Sequence, residues 1–115
     1  MTDIRDYTYQ EMHDKLIEQR YTGAVYNVTV DARCSHHITG IMESHWFFSD
    51  EPARKLYDDL SVHHCMKQLM LALDADSVRV MLNTRSIEAG HGLSNPFADK
   101  LICDECLLRS EVEER

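Results

Sequence analysis

Two pairs of residues in this chain have the types and spacing that hold a metal ion. Cys103-Asp104-Glu105-Cys106 is a C-x-x-C, and Cys34-Ser35-His36-His37 is a C-x-x-H. Zinc takes four tetrahedral ligands, usually thiolate or imidazole, and ligands roughly two to four residues apart let one tight turn aim both at one ion. Cys34, His37, Cys103 and Cys106 are therefore the candidate ligand set, and zinc is the candidate cofactor. A helix starting at Cys103 would add free amides that stabilise thiolate charge. A helix running through from Pro96 to Glu114 instead gives Phe97, Leu101, Leu108 and Val112 one apolar stripe, and makes Cys103 and Cys106 small half-buried packing residues. Both readings stay open in the sequence.

Other residues with chemistry are fewer. Neighbours on a helix point about 100° apart, so in His63-His64-Cys65 the imidazole of His64 does not readily activate the Cys65 thiol. His63 falls on an apolar stripe and reads as a core histidine. Glu43 and His45 share one strand face and could form an acid/base pair. A phosphate-cradling glycine loop and a nucleophile elbow are both missing from the sequence, and no strand-turn-helix context of thioredoxin type precedes the C-x-x-C.

The elements that would position these residues follow from periodicity. Thr8-x-x-Glu11 is a capping box that opens a helix, with Tyr7 and Met12 at the staple positions. Tyr9, Met12, Leu16 and Ile17 give that helix one apolar face, and it ends near Arg20, ahead of Gly23. Ala24 to Ala32 alternates as a half-buried strand: Ala24, Tyr26, Val28, Val30 and Ala32 face one way, and Val25, Asn27, Thr29 and Asp31 the other. Ile38 to Phe48 reads as a second strand. The short connector Arg33 to His37 makes the two an antiparallel hairpin with the Cys/His pair at its tip.

Ser49 caps a helix that opens with Asp50, Glu51 and Pro52. Leu56, Leu60, His63, Met66, Met70 and Leu73 continue at helical spacing, and Ser61 can start a second helix within that run. Ser77 to Asn83 is a third strand. Thr84 to Asn95 reads as a glycine-containing loop, and Asn95-Pro96 as the start of a helical tail. One domain over residues 1–115 is expected. The order α-β-β-α-β-α fits an α+β two-layer sandwich, a small mainly antiparallel sheet of about three strands with helices on one face.

Around the two pairs the chain resembles treble-clef zinc fingers, whose ligands sit on a hairpin knuckle and at a helix start. Leu101-Ile102-Cys103-Asp104-Glu105-Cys106-Leu107 with its acidic continuation is similar to the second half of the zinc-binding domain of ClpX-type unfoldases, and Cys34-Ser35 to the start of that domain's first knuckle. The resemblance implies that Cys34, His37, Cys103 and Cys106 are structural ligands and that the domain binds proteins. The related His-Asn-His nucleases carry a metal-binding histidine just after the second cysteine pair; here Leu107 and Leu108 follow Cys106. The element order also resembles one class of KH domain, but the Gly-x-x-Gly loop that clamps nucleic acid there is missing.

Charge narrows the function classes. The chain of 115 residues has a formal net charge of -8, with no Lys/Arg cluster to displace counterions from a phosphate backbone, so direct nucleic-acid binding is not expected. Apolar runs are too short to span a bilayer, and the first residues lack a signal-peptide pattern, so a cytoplasmic location is expected, where thiols stay reduced. The leading expectation is a small acidic protein-binding, regulatory or inhibitory protein, with zinc as structural support. Its partner would be another protein, and a basic nucleic-acid-binding one fits the charge. The alternatives are a small metal- or His-dependent hydrolase or nuclease, and a self-associating subunit. A pocket uniting His45 or His91 with Glu43 would favour the hydrolase.

Overall fold

Thr8 opens the first helix as its spacing to Glu11 predicts. In the computed structural model, which describes residues 5–34, 41–94 and 99–113, Glu11 N donates to Thr8 Oγ1 at 3.2 Å and Thr8 N donates to Glu11 Oε1 at 3.0 Å. The reciprocal pair satisfies two amides that a helix start leaves unbonded. Helix α1 (Tyr9–Glu18) ends at Gln19, and Arg20 turns the chain through a positive φ. Tyr7 and Met12, the staple residues, are both buried.

Strands β1 (Gly23–Arg33) and β2 (Ile41–Phe47) pair antiparallel, from Tyr26 opposite Phe47 to Ala32 opposite Ile41. The expected antiparallel pairing is present, and the connector of residues 35–40, with the predicted strand start at Ile38, lies outside the described residues. Of the two alternatives for the run from Asp50 to Leu73, the split one forms: helices α2 (Asp50–Leu60) and α3 (His63–Leu73), with the break at Ser61 and Val62. The break shifts the helical phase, and His63 is exposed rather than a core histidine. Asp74 closes α3 in the left-handed conformation. Strand β3 (Ser77–Ile87) runs four residues past the predicted Asn83 and takes in part of the expected loop.

The main departure is β4 (Asp99–Leu108), a strand where a helical tail was one expectation and a knuckle the other. It adds antiparallel to β3, giving the sheet order β2-β1-β3-β4 among the described residues. Helical propensity in this stretch is weak compared with a full ladder of backbone hydrogen bonds on the free edge of β3. A short α4 (Arg109–Glu113) follows. The fold is α+β as expected, with four strands in place of about three.

Side-chain alternation divides the core in two. Val28, Val30 and Ala32 of β1, with Val78, Val80 and Leu82 of β3, face α2 and α3 and pack with Ala53, Tyr57, Met66 and Met70. The other face of β1 presents Val25 to Met12 and Leu16 of α1, together with Trp46, Ile87 and Leu93. Helices thus lie on both faces, where one covered face was expected. The loop after β3 closes the smaller core. Leu93 N donates to His13 Nδ1 at 2.9 Å, and Gly92 has φ +56° with His13 directly against it. A methyl on Gly92 would lie 2.6 Å from that ring nitrogen.

Candidate functional site

The strand conformation of β4 decides the fate of the predicted metal ligands. Cys103 pairs with Leu82 and packs against the α2/α3 core, whereas Cys106 pairs with Arg79 and is exposed on the opposite face. Residues three apart on a strand point to opposite sides, so these two cannot chelate one ion as a knuckle does. Cys34 is buried at the end of β1, its Sγ donating to Leu73 O at 3.6 Å. Arg33, its neighbour, pairs with Ser77, while Cys103 pairs with Leu82, five residues further along β3. At about 3.4 Å per residue that separation is about 17 Å. His37 lies outside the described residues, as do Asn95 and Pro96, the expected helix start. The treble-clef resemblance therefore fails: the second cysteine pair sits on a strand rather than at a helix start, and no group of three or more His, Cys, Asp or Glu converges among the described residues.

The predicted acid/base pair is also separated. Glu43 and His45 do share one face of β2, since they stand opposite Val30 and Val28. Glu43, however, lines a cavity of about 370 Å³ with Val30, Leu60, Cys65, Leu69 and Val80. His45 Nδ1 lies 2.8 Å from Asp6 Oδ2, and His91 lies 3.9 Å from Glu88. Neither histidine lines that cavity, so the discriminator for a hydrolase is not met there.

Two other depressions gather side chains. The larger, about 540 Å³, is an open groove between Phe47 of β2, Pro52 and Leu56 of α2, and the segment leading to α1. Phe47, Pro52 and Leu56 make an apolar floor. Asp6, Glu51 and Asp59 form a carboxylate rim interrupted by Lys55. The outer surface of α2 continues the charge with Asp50 and Asp58. Arg54 is tied to Asp50 at 2.8 Å, and Lys55 reaches Asp59 at 3.9 Å. The Asp50 carboxylate raises the Arg54 pKa by direct hydrogen bonding. The helix thus presents four carboxylates against two cations that are already engaged.

The second depression, about 340 Å³, lies on the opposite face of the sheet. It is lined by Tyr9, Asn27, Thr29, Ser44, Trp46, Met81, Asn83, Thr84, Arg85 and Asp99. Asn27 and Thr29, on the face of β1 opposite to Val28 and Val30, are 6% and 7% exposed, so β1 is buried on both faces where a half-buried strand was expected. A bulge in β4 helps to build this site. Ile102 is the extra residue between the Leu82–Cys103 and Asn83–Leu101 pairs. The added residue reverses the facing of everything before it, which brings Asp99 to the face of Arg85. Arg85 Nε and Nη2 then both bond the Asp99 carboxylate, and Nη1 donates to Leu93 O at 2.7 Å. Hydrogen bonding to Asp99 raises the Arg85 pKa. No periodicity in the sequence reports such a bulge.

Set beside family models, curated proteins and solved structures, the chain matches none. No helix among the described residues is long and apolar enough to cross a membrane.

Proposed function

We propose that this protein is a non-enzymatic binding module that docks a basic segment of another protein, anchored by an apolar side chain, in the groove of Phe47, Pro52 and Leu56. The observation that supports this reading is the pairing of an apolar floor with the carboxylates of Asp6, Glu51 and Asp59 in a chain of net charge -8. Apolar contact supplies affinity, and the rim supplies orientation and a faster encounter. A partner that uses the same basic segment to hold nucleic acid would be competed away from it, which gives the module an inhibitory role. Four free cysteines suit a reducing compartment, which supports a cytoplasmic location.

Fluorescence anisotropy with short labelled peptides tests the reading. Peptides carrying one Leu or Phe flanked by Lys and Arg should bind, and acidic versions of the same peptides should not. Binding should weaken as salt screens the rim, over a Debye length of about 10 Å at 0.1 M. Glu51→Lys, an exposed change, should weaken it several-fold at low salt and little at high salt. Equal binding of basic and acidic peptides would rule the proposal out, as would indifference to Glu51→Lys.

A further inference from the structure

The cavity on the opposite sheet face carries a second inference, independent of the groove beside α2. Its floor is a set of polar side chains held in place by one another. Asn27 Nδ2 donates to His45 O at 3.2 Å, and Asn27 Oδ1 accepts from both Thr29 Oγ1 and Asn83 Nδ2, the latter at 3.3 Å. Thr84 Oγ1 donates to Val25 O at 3.0 Å. These bonds consume Asn27 and fix its rotamer. Ser44 Oγ, 3.5 Å from Thr29 Oγ1, donates to it because the Thr29 proton goes to Asn27; this leaves the Asn83 carbonyl oxygen, its second N–H and the acceptor lone pairs of Ser44 with capacity for a further partner. These bonds compensate the burial of Asn27 and Thr29, and the remaining capacity of Asn83 and Ser44 faces a cavity rather than a neighbouring element.

The walls are aromatic and charge-balanced. Tyr9 and Trp46 meet edge to face, with ring centroids 6.0 Å apart. The Arg85 guanidinium lies 5.1 Å from the Trp46 ring centroid. Asp99 neutralises the Arg85 charge, so the site offers donors and acceptors without net charge. The Trp46 indole N–H is buried and has no hydrogen-bond acceptor among the described residues.

We propose that this cavity binds a neutral polyhydroxylated ring of monosaccharide size. A volume of about 340 Å³ is at the low end of the roughly 300–1,000 Å³ range of small-molecule sites. Hydroxyl groups donate and accept together, which matches the spare capacity of Asn83 and Ser44. The C–H face of such a ring packs on the exposed Tyr9 side chain, since the Trp46 ring beside it is buried and already carries the Arg85 guanidinium. A free anion is disfavoured, because Asp99 already occupies the guanidinium.

Trp46 is the single tryptophan of the chain, so its indole N–H gives one resonance in a nitrogen–proton correlation spectrum. The full chain is titrated separately with glucose, galactose and ribose up to roughly 10 mM, well above a millimolar dissociation constant. At least one should move the Trp46 indole resonance in a saturable way. Inorganic phosphate and acetate at the same concentration should not. Asn83→Leu should abolish the saturable shift. Ser44→Ala, at an exposed position, should weaken binding at least threefold while leaving thermal unfolding unchanged, and so serves if Asn83→Leu unfolds the chain. Absence of a saturable shift with every neutral sugar would overturn the proposal. So would saturation by phosphate or acetate alone, or unchanged binding in Ser44→Ala.

Discussion

Tyr57 shows how a single residue registers the two layers at once. It is buried on α2, and its hydroxyl sits against the Cys103 side chain of β4. Burial first, then the hydrogen bond to Cys103 and the nearby carboxylates of Glu105 and Asp104, push its pKa up to about 12 from 10.0. A phenol raised in this way keeps its proton in the folded chain where the unfolded chain has lost it. The stability it contributes is complete below pH 10 and disappears as pH rises toward 12. The loss should reach up to about 3 kcal/mol, since each tenfold change in an acid constant corresponds to about 1.4 kcal/mol. Denaturant unfolding at pH 9, 10, 11 and 12 should show this decline, and Tyr57→Phe should flatten it. A profile for Tyr57→Phe as steep as that of the unaltered chain would place the cause elsewhere.

At the scale of elements, β4 is where reading from sequence ran out. The capping box of α1, the strand character of β1 and the start of α2 at Asp50 are all written in residues close together and formed as expected, although β1 is buried on both faces and Ser49 makes no side-chain capping bond. Leu101, Leu108 and Val112 fall at helical spacing and point the reading toward a helix, while the bulge at Ile102 hides the alternation of the strand that forms. The candidate site shared this limit. Phe47, Pro52 and Leu56 could be assigned to elements, but their meeting with Asp6 in one groove could not. The two faces of β4 give a direct check. Brief alkylation of the native chain followed by mass spectrometry should modify Cys106 and Cys65 quickly, Cys103 more slowly and Cys34 last, following their exposure. Equal rates at Cys103 and Cys106 would contradict the strand.

For the molecule as a whole, the sheet separates two apolar clusters that share no buried residue. Leu82 is fully buried beneath α2 and α3, and Leu16 is fully buried between α1 and the other face. Leu82→Ala and Leu16→Ala should each cost about 2–5 kcal/mol through lost burial and the cavity left behind. Urea unfolding of both variants and of the double variant should give losses that add within about 0.5 kcal/mol, as for sites without common neighbours. A separate early transition in Leu16→Ala would instead mean that α1 unfolds as its own unit. Composition, charge, the α1 cap and the hairpin strands were determined by the sequence alone, because each depends on residues a few positions apart. The strand identity of β4, the opposite facing of Cys103 and Cys106, and the burial of Asn27 and Thr29 were decided only by tertiary structure. Each of these depends on which edge, bulge or helix the completed sheet brings alongside, and such pairings are set by contacts between residues distant in the chain.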